Sequence, residues 1–345
     1  MRASIIIRSK DEADRLRLTL RSLAEQTEPA EVVVVNDGSS DHTMQVVDEA
    51  ANAMPLPLVR IDHKTPLGRS GAANAGASRA SGDILIFLDG DTLAGPEFVA
   101  RHMDVHRRKS GVVGRGETHQ LRCTRFFADP ETGSPRPGEE ARVAAMSVSE
   151  LARMRVTLDD VVERFQSVHD RSQPGIYPGA GPRRLFELEM EALRAHPDCT
   201  VLWAAASGSN QSLSRRAFLD CGGFNEAITI NEHRELALRL CQAGARMVPV
   251  DKAFSYHLTH RTGWRDPVAD TEWEQIFYHA HPVPAVPLLS IFWASLSDPL
   301  PFSASARITS LPSLQAAAER YEGVTGIENV RQAHFEATAS VVIAQ

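Results

Sequence analysis

Short β-branched runs in the N-terminal part of the chain constrain the fold most. Ile5-Ile6-Ile7, Val32 to Val35, Leu58 to Ile61 and Ile84 to Leu88 lack the apolar/polar alternation of a half-buried strand. The first two therefore read as buried strands, and the other two as further strands of the same sheet. Between the first two, Leu16, Leu20, Leu23 and Ala24 recur at the spacing of one helical face, and Pro29 ends the pattern. A second helix is expected from Asp41 to Ala53, and a small-residue segment from Gly68 to Ala80 precedes the fourth strand. Strands alternating with helices imply an α/β fold with a mostly parallel sheet flanked by helices. Such sheets bind ligands at the carboxyl ends of their strands. Chemistry is therefore expected at Arg8 and Ser9, at Asn36-Asp37-Gly38-Ser39, and at Asp89-Gly90-Asp91.

From Thr118 to Thr200 the pattern is broken by Pro130, Pro135, Pro137, Gly138, Pro174, Gly175, Pro178, Gly179 and Pro182, which reads as an insertion or lid. Helical patches are expected at Val148 to Val168 and Leu185 to Ala195. Val201 to Ala206 has strand character, a helix is expected from Arg215, and another runs from Glu232 to Cys241 and closes at Gly244. A strand at Met247 to Val250, a segment rich in His and Trp, and a Pro-rich tail complete the chain.

With 345 residues, 43% of them hydrophobic, the chain can bury a sizeable core. A net charge of -7 argues against nucleic acid as a partner. Four cysteines without a CxxC pair suggest neither a zinc ribbon nor a disulfide scaffold. Reduced thiols in a cytoplasm are expected, because the N-terminus enters the Ser4 to Arg8 strand without the features of a signal peptide. The longest apolar run, Val286 to Leu296, contains Pro287 and Ser290 and falls short of the ~20 residues of a spanning helix.

In Asp89-Gly90-Asp91 a glycine between two carboxylates lets a ligand approach closely. Two hard oxygen donors suit Mg²⁺ or Mn²⁺ on a diphosphate, and a polar turn is the alternative reading. Asn36-Asp37-Gly38-Ser39-Ser40-Asp41 reads equally as a ligand turn or a helix cap. His102 and His106 have the i, i+4 spacing of a zinc helix, but Met103 replaces the glutamate of His-Glu-x-x-His, so they read as an exposed helix face. Trp203, Trp264, Trp273 and Tyr177 could stack on sugar rings or fill a core.

Taken in order, these strand-end motifs, the Gly68 to Gly82 segment, Gly222-Gly223-Phe224-Asn225-Glu226 and the Glu232 helix resemble the inverting family 2 glycosyltransferases with the GT-A fold, over Ser4 to His260. The resemblance implies a GT-A domain over 1–260, with a nucleotide-sugar-binding half at 1–117, the insertion at 118–200 and an acceptor and catalytic half at 201–260. A helical C-terminal tail over 261–345 follows. It implies that Asp37 accepts a proton of a uracil or guanine base, that Arg8, Ser9 and Glu12 lie at the nucleotide, and that Asp89, Gly90 and Asp91 hold ribose, metal and diphosphate. Leu67 to Gly76 is similar to the family's Gly-x-x-x-Ala-Arg-Asn-x-Gly stretch. Asn74 matches, Ala73 stands where arginine is usual, and Arg69 one helical turn earlier either replaces that charge at the diphosphate or is merely solvated.

The family's base lies in a Glu-Asp pair opening a helix; here the pair is Glu232-His233, and either residue could take the role. The histidine that related transferases return to the metal is matched by His257, with His260 as a competitor. The resemblance thus implies a hexosyltransferase-like enzyme that uses Mn²⁺ or Mg²⁺. Its donor would be a UDP-sugar, or alternatively a GDP-sugar, and its acceptor a small molecule, glycolipid or glycan, with a homodimer left open. A retaining GT-A transferase and a non-catalytic nucleotide-sugar binder are the competing readings.

Overall fold

The computed structural model describes residues 1–175, 185–260, 272–297 and 299–342. Tyr177, Trp264, Pro178, Gly179 and Pro182 lie outside the described residues. The strands are β1 (Ala3–Ser9), β2 (Glu31–Asp37), β3 (Leu58–His63), β4 (Ile84–Asp89), β5 (Thr92–Ala94), β6 (Val112–Gln120), β7 (Phe127–Asp129), β8 (Ser134–Pro135), β9 (Gln173–Pro174), β10 (Gln211–Ser214) and β11 (Arg246–His257). The main sheet runs β3-β2-β1-β4-β10-β6-β11-β5, with β9 on β6, among the described residues.

The first four strands are parallel, as their apolar runs require. Beyond β4 the sheet is mixed, because β10 returns antiparallel between β4 and β6 and β5 returns antiparallel on β11. Ile5, Ile7, Val32, Val34, Ile86 and Leu88 pack with the helices Ala13–Ala24, Thr43–Ala53 and Phe98–Arg108 on one face. Ile6, Val33, Leu85 and Phe87 pack on the other face with the helix Gly68–Arg79 and the C-terminal helices. Burial on both faces is why these strands need continuous apolar runs. Each fully buried Val, Leu or Ile contributes about 1.5–3 kcal/mol. The small-residue segment is a helix pressed onto the sheet: a Cβ on Gly76 would lie 2.7 Å from Ile6 Cγ2.

The C-terminal segment is no detached tail. Leu288, Leu311, Leu314 and Val330 share the core that contains Ile6 and Val33, and the helix Ala285–Ala294 is wholly buried. No helix among the described residues is long and apolar enough to cross a membrane.

Three sequence expectations change. Val201 to Ala206 is no strand: Leu202–Ala205 forms a buried 3₁₀ turn packed on the helix Glu232–Gln242. The Val148 to Val168 patch divides into Val148–Met154, Leu158–Val162 and Phe165–Arg171, because Ser147 and Thr157 each cap a new helix. His102 and His106 are buried rather than exposed, and Ser212 and Asn210 of the β10 segment hold them by hydrogen bonds. Their spacing marks the inward face of an amphipathic helix, which periodicity alone does not orient. Trp203 and Trp273 are likewise core residues, both near Phe277.

Candidate functional site

Chain connectivity creates the site. The chain steps outward from β1 to β2 and β3, then crosses back to β4, so the order reverses between β1 and β4, where such sheets bind ligands. The register sets Arg8 beside Asp89, and Arg8 Nε donates to Asp89 Oδ1 at 3.0 Å. Arg8 Nη1 also donates to Glu232 Oε1 at 2.8 Å and to the Arg69 carbonyl at 3.4 Å. Burial alone would lower the Arg8 pKa, but the two carboxylates hold it above its ordinary value.

A cavity of about 350 Å³ opens over these strand ends, lined in part by Arg8, Ser9, Glu12, Asp37, Arg69, Asp89, Asp91 and His260. The Asp37 carboxylate accepts the backbone N–H groups of Leu67 at 2.8 Å and Gly68 at 2.9 Å and lies 3.0 Å from His63 Nδ1. It thus anchors the start of the Gly68–Arg79 helix as well as lining the cavity. Glu12 sits against Gly90, where any Cβ would overlap its Oε1. Burial, with the neighbouring Asp91 and Asp89, raises the Glu12 carboxyl well above the usual carboxylate range.

Asp91 lies one turn past β4, and β5 pairs with the end of β11 so that Thr92 faces His257. Among the described residues, Asp91, His257 and His260 form a group whose ligand atoms all lie within 4.8 Å of one another. Asp91 Oδ2 is 3.1 Å from His257 Nε2 and 2.9 Å from His260 Nε2. Although burial would raise the Asp91 carboxyl, the two imidazoles hold it well below its ordinary range. His257 Nδ1 donates to Gln120 Oε1 at 2.7 Å, an oxygen that also accepts from Thr259. With Nδ1 turned to Gln120, Nε2 is the ring nitrogen that faces the carboxylate and would be the one to bind a cation. One carboxylate and two imidazoles, with one tautomer set from behind, fit a divalent ion such as Mn²⁺. Asp89 stands outside this group and pairs through Oδ1 with Arg8 instead.

Arg15, which the sequence did not single out, braces the histidine loop. It donates to the carbonyls of Leu258 at 3.3 Å, Ala128 at 2.7 Å and Phe127 at 2.7 Å.

A second cavity, about 200 Å³, shares Arg8, Arg69 and Asp89 with the first and is also lined by Gln120, Phe186, Glu189, the 206–209 loop, Glu232, His233 and Arg234. Glu232 is 1% exposed, and its Oε2 has no hydrogen-bond partner among the described residues. Burial opposes its ionisation, but Arg8, with His233 and Arg69 behind it, holds the carboxyl far below the usual range. Burial, reinforced by Arg234 and Arg8 against the pull of Glu232, pushes the His233 imidazole down to about 4.

Asn74 does not join either cavity. Its amide donates to the Phe224 carbonyl and to Glu226 and accepts the Phe224 N–H, which pins the Gly222–Glu226 turn. Ala73 is 1% exposed in the core, so an arginine there would have no room, whereas Arg69 is exposed and lines both cavities. Gln120, Arg15, Arg234 and Glu189 carried no sequence signal, because only strand register and packing bring them here.

Residues 4–143 match the family described as Glycosyl transferase family 2. The glycosyltransferase YfnE of Bacillus subtilis (strain 168), itself uncharacterized, is 36% identical over 265 residues, covering 71% of this chain and 61% of the relative. The chain thus spans less than two thirds of that relative's length. Two solved structures share the fold at 16% identity. The mannosyltransferase PcManGT from Pyrobaculum calidifontis, in complex with GDP-Man and Mn²⁺, has a TM-score of 0.54 and covers 100% of this chain and 81% of its own. S. aureus TarS 1-349 in complex with UDP-GlcNAc has a TM-score of 0.52, with 84% and 67% covered. The strand-end motifs, the sheet order and these likenesses agree: residues 4–143 belong to glycosyltransferase family 2, and the chain has the GT-A fold.

Proposed function

We propose that this chain transfers a sugar from a nucleoside diphosphate sugar, preferably a UDP-sugar, to an acceptor hydroxyl with inversion at the anomeric carbon. One observation carries the reading: two cavities share the Arg8, Arg69 and Asp89 wall, one lined by Asp91 and His260 of the Asp91, His257 and His260 group and the other by a buried carboxylate with one oxygen unpartnered among the described residues. In this reading the donor occupies the first cavity, with its base towards Asp37 and its diphosphate beside Arg69. The acceptor, a small molecule, glycolipid or glycan, occupies the second. Asp91, His257 and His260 would hold Mn²⁺ or Mg²⁺, which when bound neutralises charge on the departing diphosphate.

Glu232 Oε2 takes the hydroxyl proton as the acceptor oxygen bonds to the anomeric carbon, and the electron pair of the breaking bond leaves with the diphosphate. Attack and departure on opposite sides of one wall favour inversion over retention. Arg8 keeps Glu232 ionised and aligned, and Gln120 keeps His257 in the tautomer that can bind a cation.

The test is calorimetric titration of UDP, GDP and CDP into the purified protein with Mn²⁺. Micromolar, metal-dependent binding of one nucleotide is expected, weakened at least tenfold by Asp91→Ala, in line with the usual cost of losing part of a metal site. If no nucleotide binds under any metal condition, the transfer reading fails; if one binds but no nucleotide sugar is turned over, the protein is a binder only.

A further inference from the structure

Glu232 and His233 each leave one buried polar atom without a partner among the described residues, Glu232 Oε2 and His233 Nδ1, and the two atoms are 3.7 Å apart. That separation is beyond a direct hydrogen bond. Both belong to the wall of the second cavity, beside Gly208, where a Cβ would lie 3.3 Å from His233 Nδ1 and 3.1 Å from Arg8 Nη2.

The proton on His233 can be assigned from its other nitrogen. His233 Nε2 is 2.8 Å from Arg234 Nη1. A guanidinium has only donors and keeps its charge, so Nε2 must offer its lone pair. Arg234 is immobilised elsewhere: Nε donates to the Ala204 carbonyl at 2.7 Å, Nη1 to Asn231 Oδ1 at 2.8 Å, and Nη2 to Glu189 Oε1 at 3.0 Å, while the guanidinium stacks 5.0 Å from the Trp293 ring centroid. A neutral imidazole whose Nε2 accepts must carry its hydrogen on Nδ1. The groups facing the ring are Glu232, Arg234 and Arg8, with Glu189 behind Arg234. Their balance, added to burial, keeps it neutral near pH 7.

The vacant pair is therefore one acceptor and one donor. A hydroxyl has one hydrogen to give and lone pairs to receive, so it can bridge both atoms at normal distances. An ammonium group has no lone pair for Nδ1–H. We infer that Arg234 locks His233 as an Nδ1–H donor to the acceptor oxygen, so that an uncharged hydroxyl is clamped between His233 and the Glu232 carboxylate and ammonium acceptors are rejected. His233 is then no base: it keeps its proton while the hydroxyl proton passes to Glu232. Arg234 is the positioning residue. This inference rests on the transfer reading above.

The experiment has two arms on the full chain. In the first, imidazole ¹⁵N spectra of uniformly labelled protein are recorded from pH 5.5 to 8, with the His233→Asn spectrum identifying the His233 signals. A neutral Nδ1–H tautomer across this range is expected; an Nε2–H tautomer, or a titration near 6.5, overturns the inference without any turnover being measured. In the second, nucleotide release is followed with UDP-glucose and with GDP-mannose in Mn²⁺, water serving as the hydroxyl. His233→Asn places an amide N–H where Nδ1–H stood and should stay within about fivefold of the native rate, while His233→Ala and His233→Asp should fall about 10- to 100-fold. Asn as impaired as Ala, or Ala unimpaired, overturns the inference. Nucleotide titration of each variant separates the two failures: lost binding in the native protein counts against the transfer reading, and intact binding with the wrong tautomer counts against this one.

Discussion

Glu232→Gln is expected to lower turnover about 10²- to 10⁴-fold, the range of a general base, while nucleotide affinity changes by less than about threefold. The glutamine amide oxygen can still accept from Arg8 at the Oε1 position, so the wall between the cavities stays aligned. What disappears is the basic oxygen at Oε2, which is buried and has no partner among the described residues. Because Arg8 holds the carboxyl far below its usual range, Glu232 stays ionised through mildly acid pH, and the native rate should show no limb from Glu232 between about pH 5 and 8. Nucleotide release against pH, with calorimetry on both proteins, checks this. A variant retaining a tenth or more of native turnover would remove Glu232 from the base role.

The second large effect is acid lability. Burial pushes His102 down to about 3 and His106 down to about 4. In the unfolded chain both titrate near 6.5, so below that pH the unfolded state binds more protons and stability falls with falling pH. The stability these neutral rings contribute is fully present above about pH 7 and is lost as pH drops towards 4. Each histidine removes about 2 kcal/mol by pH 5 and about 3 kcal/mol by pH 4, a large part of the usual ~5–15 kcal/mol of a folded protein. His119, also held by burial at about 4, acts in the same direction. Urea midpoints between pH 4.5 and 8 measure the slope, and the His102→Gln/His106→Gln double variant should flatten it while keeping polar partners for Ser212 and Asn210. An unchanged slope in that variant would mean these rings are not the cause.

Much of the site was legible in sequence because the positions that matter end strands. Arg8, Asp37 and Asp89 follow apolar runs that can only be buried strands, and all three line one cavity. The roles divided less predictably. Asp89 pairs with Arg8 and stays outside the Asp91, His257 and His260 group, and Asn74 pins a turn, because a motif fixes the residue type and leaves the partner open. Glu12 entered through the resemblance, but only the structure sets its carboxyl against Gly90 and beside two aspartates.

The sequence by itself determined the local elements: the first four strands, of which β1, β2 and β4 are buried on both faces, the helices between them, and the strand ends where a ligand could sit. These follow from apolar periodicity and from turn and capping residues, which act within a few neighbours along the chain. Tertiary structure alone decided which side chains meet. Arg8 reaches Glu232 across 224 residues and His257 reaches Asp91 across 166, pairings set by strand order and register. It also decided that His102 and His106 face inward and that His233 carries its proton on Nδ1, because burial and tautomer are properties of the surroundings and not of the residue.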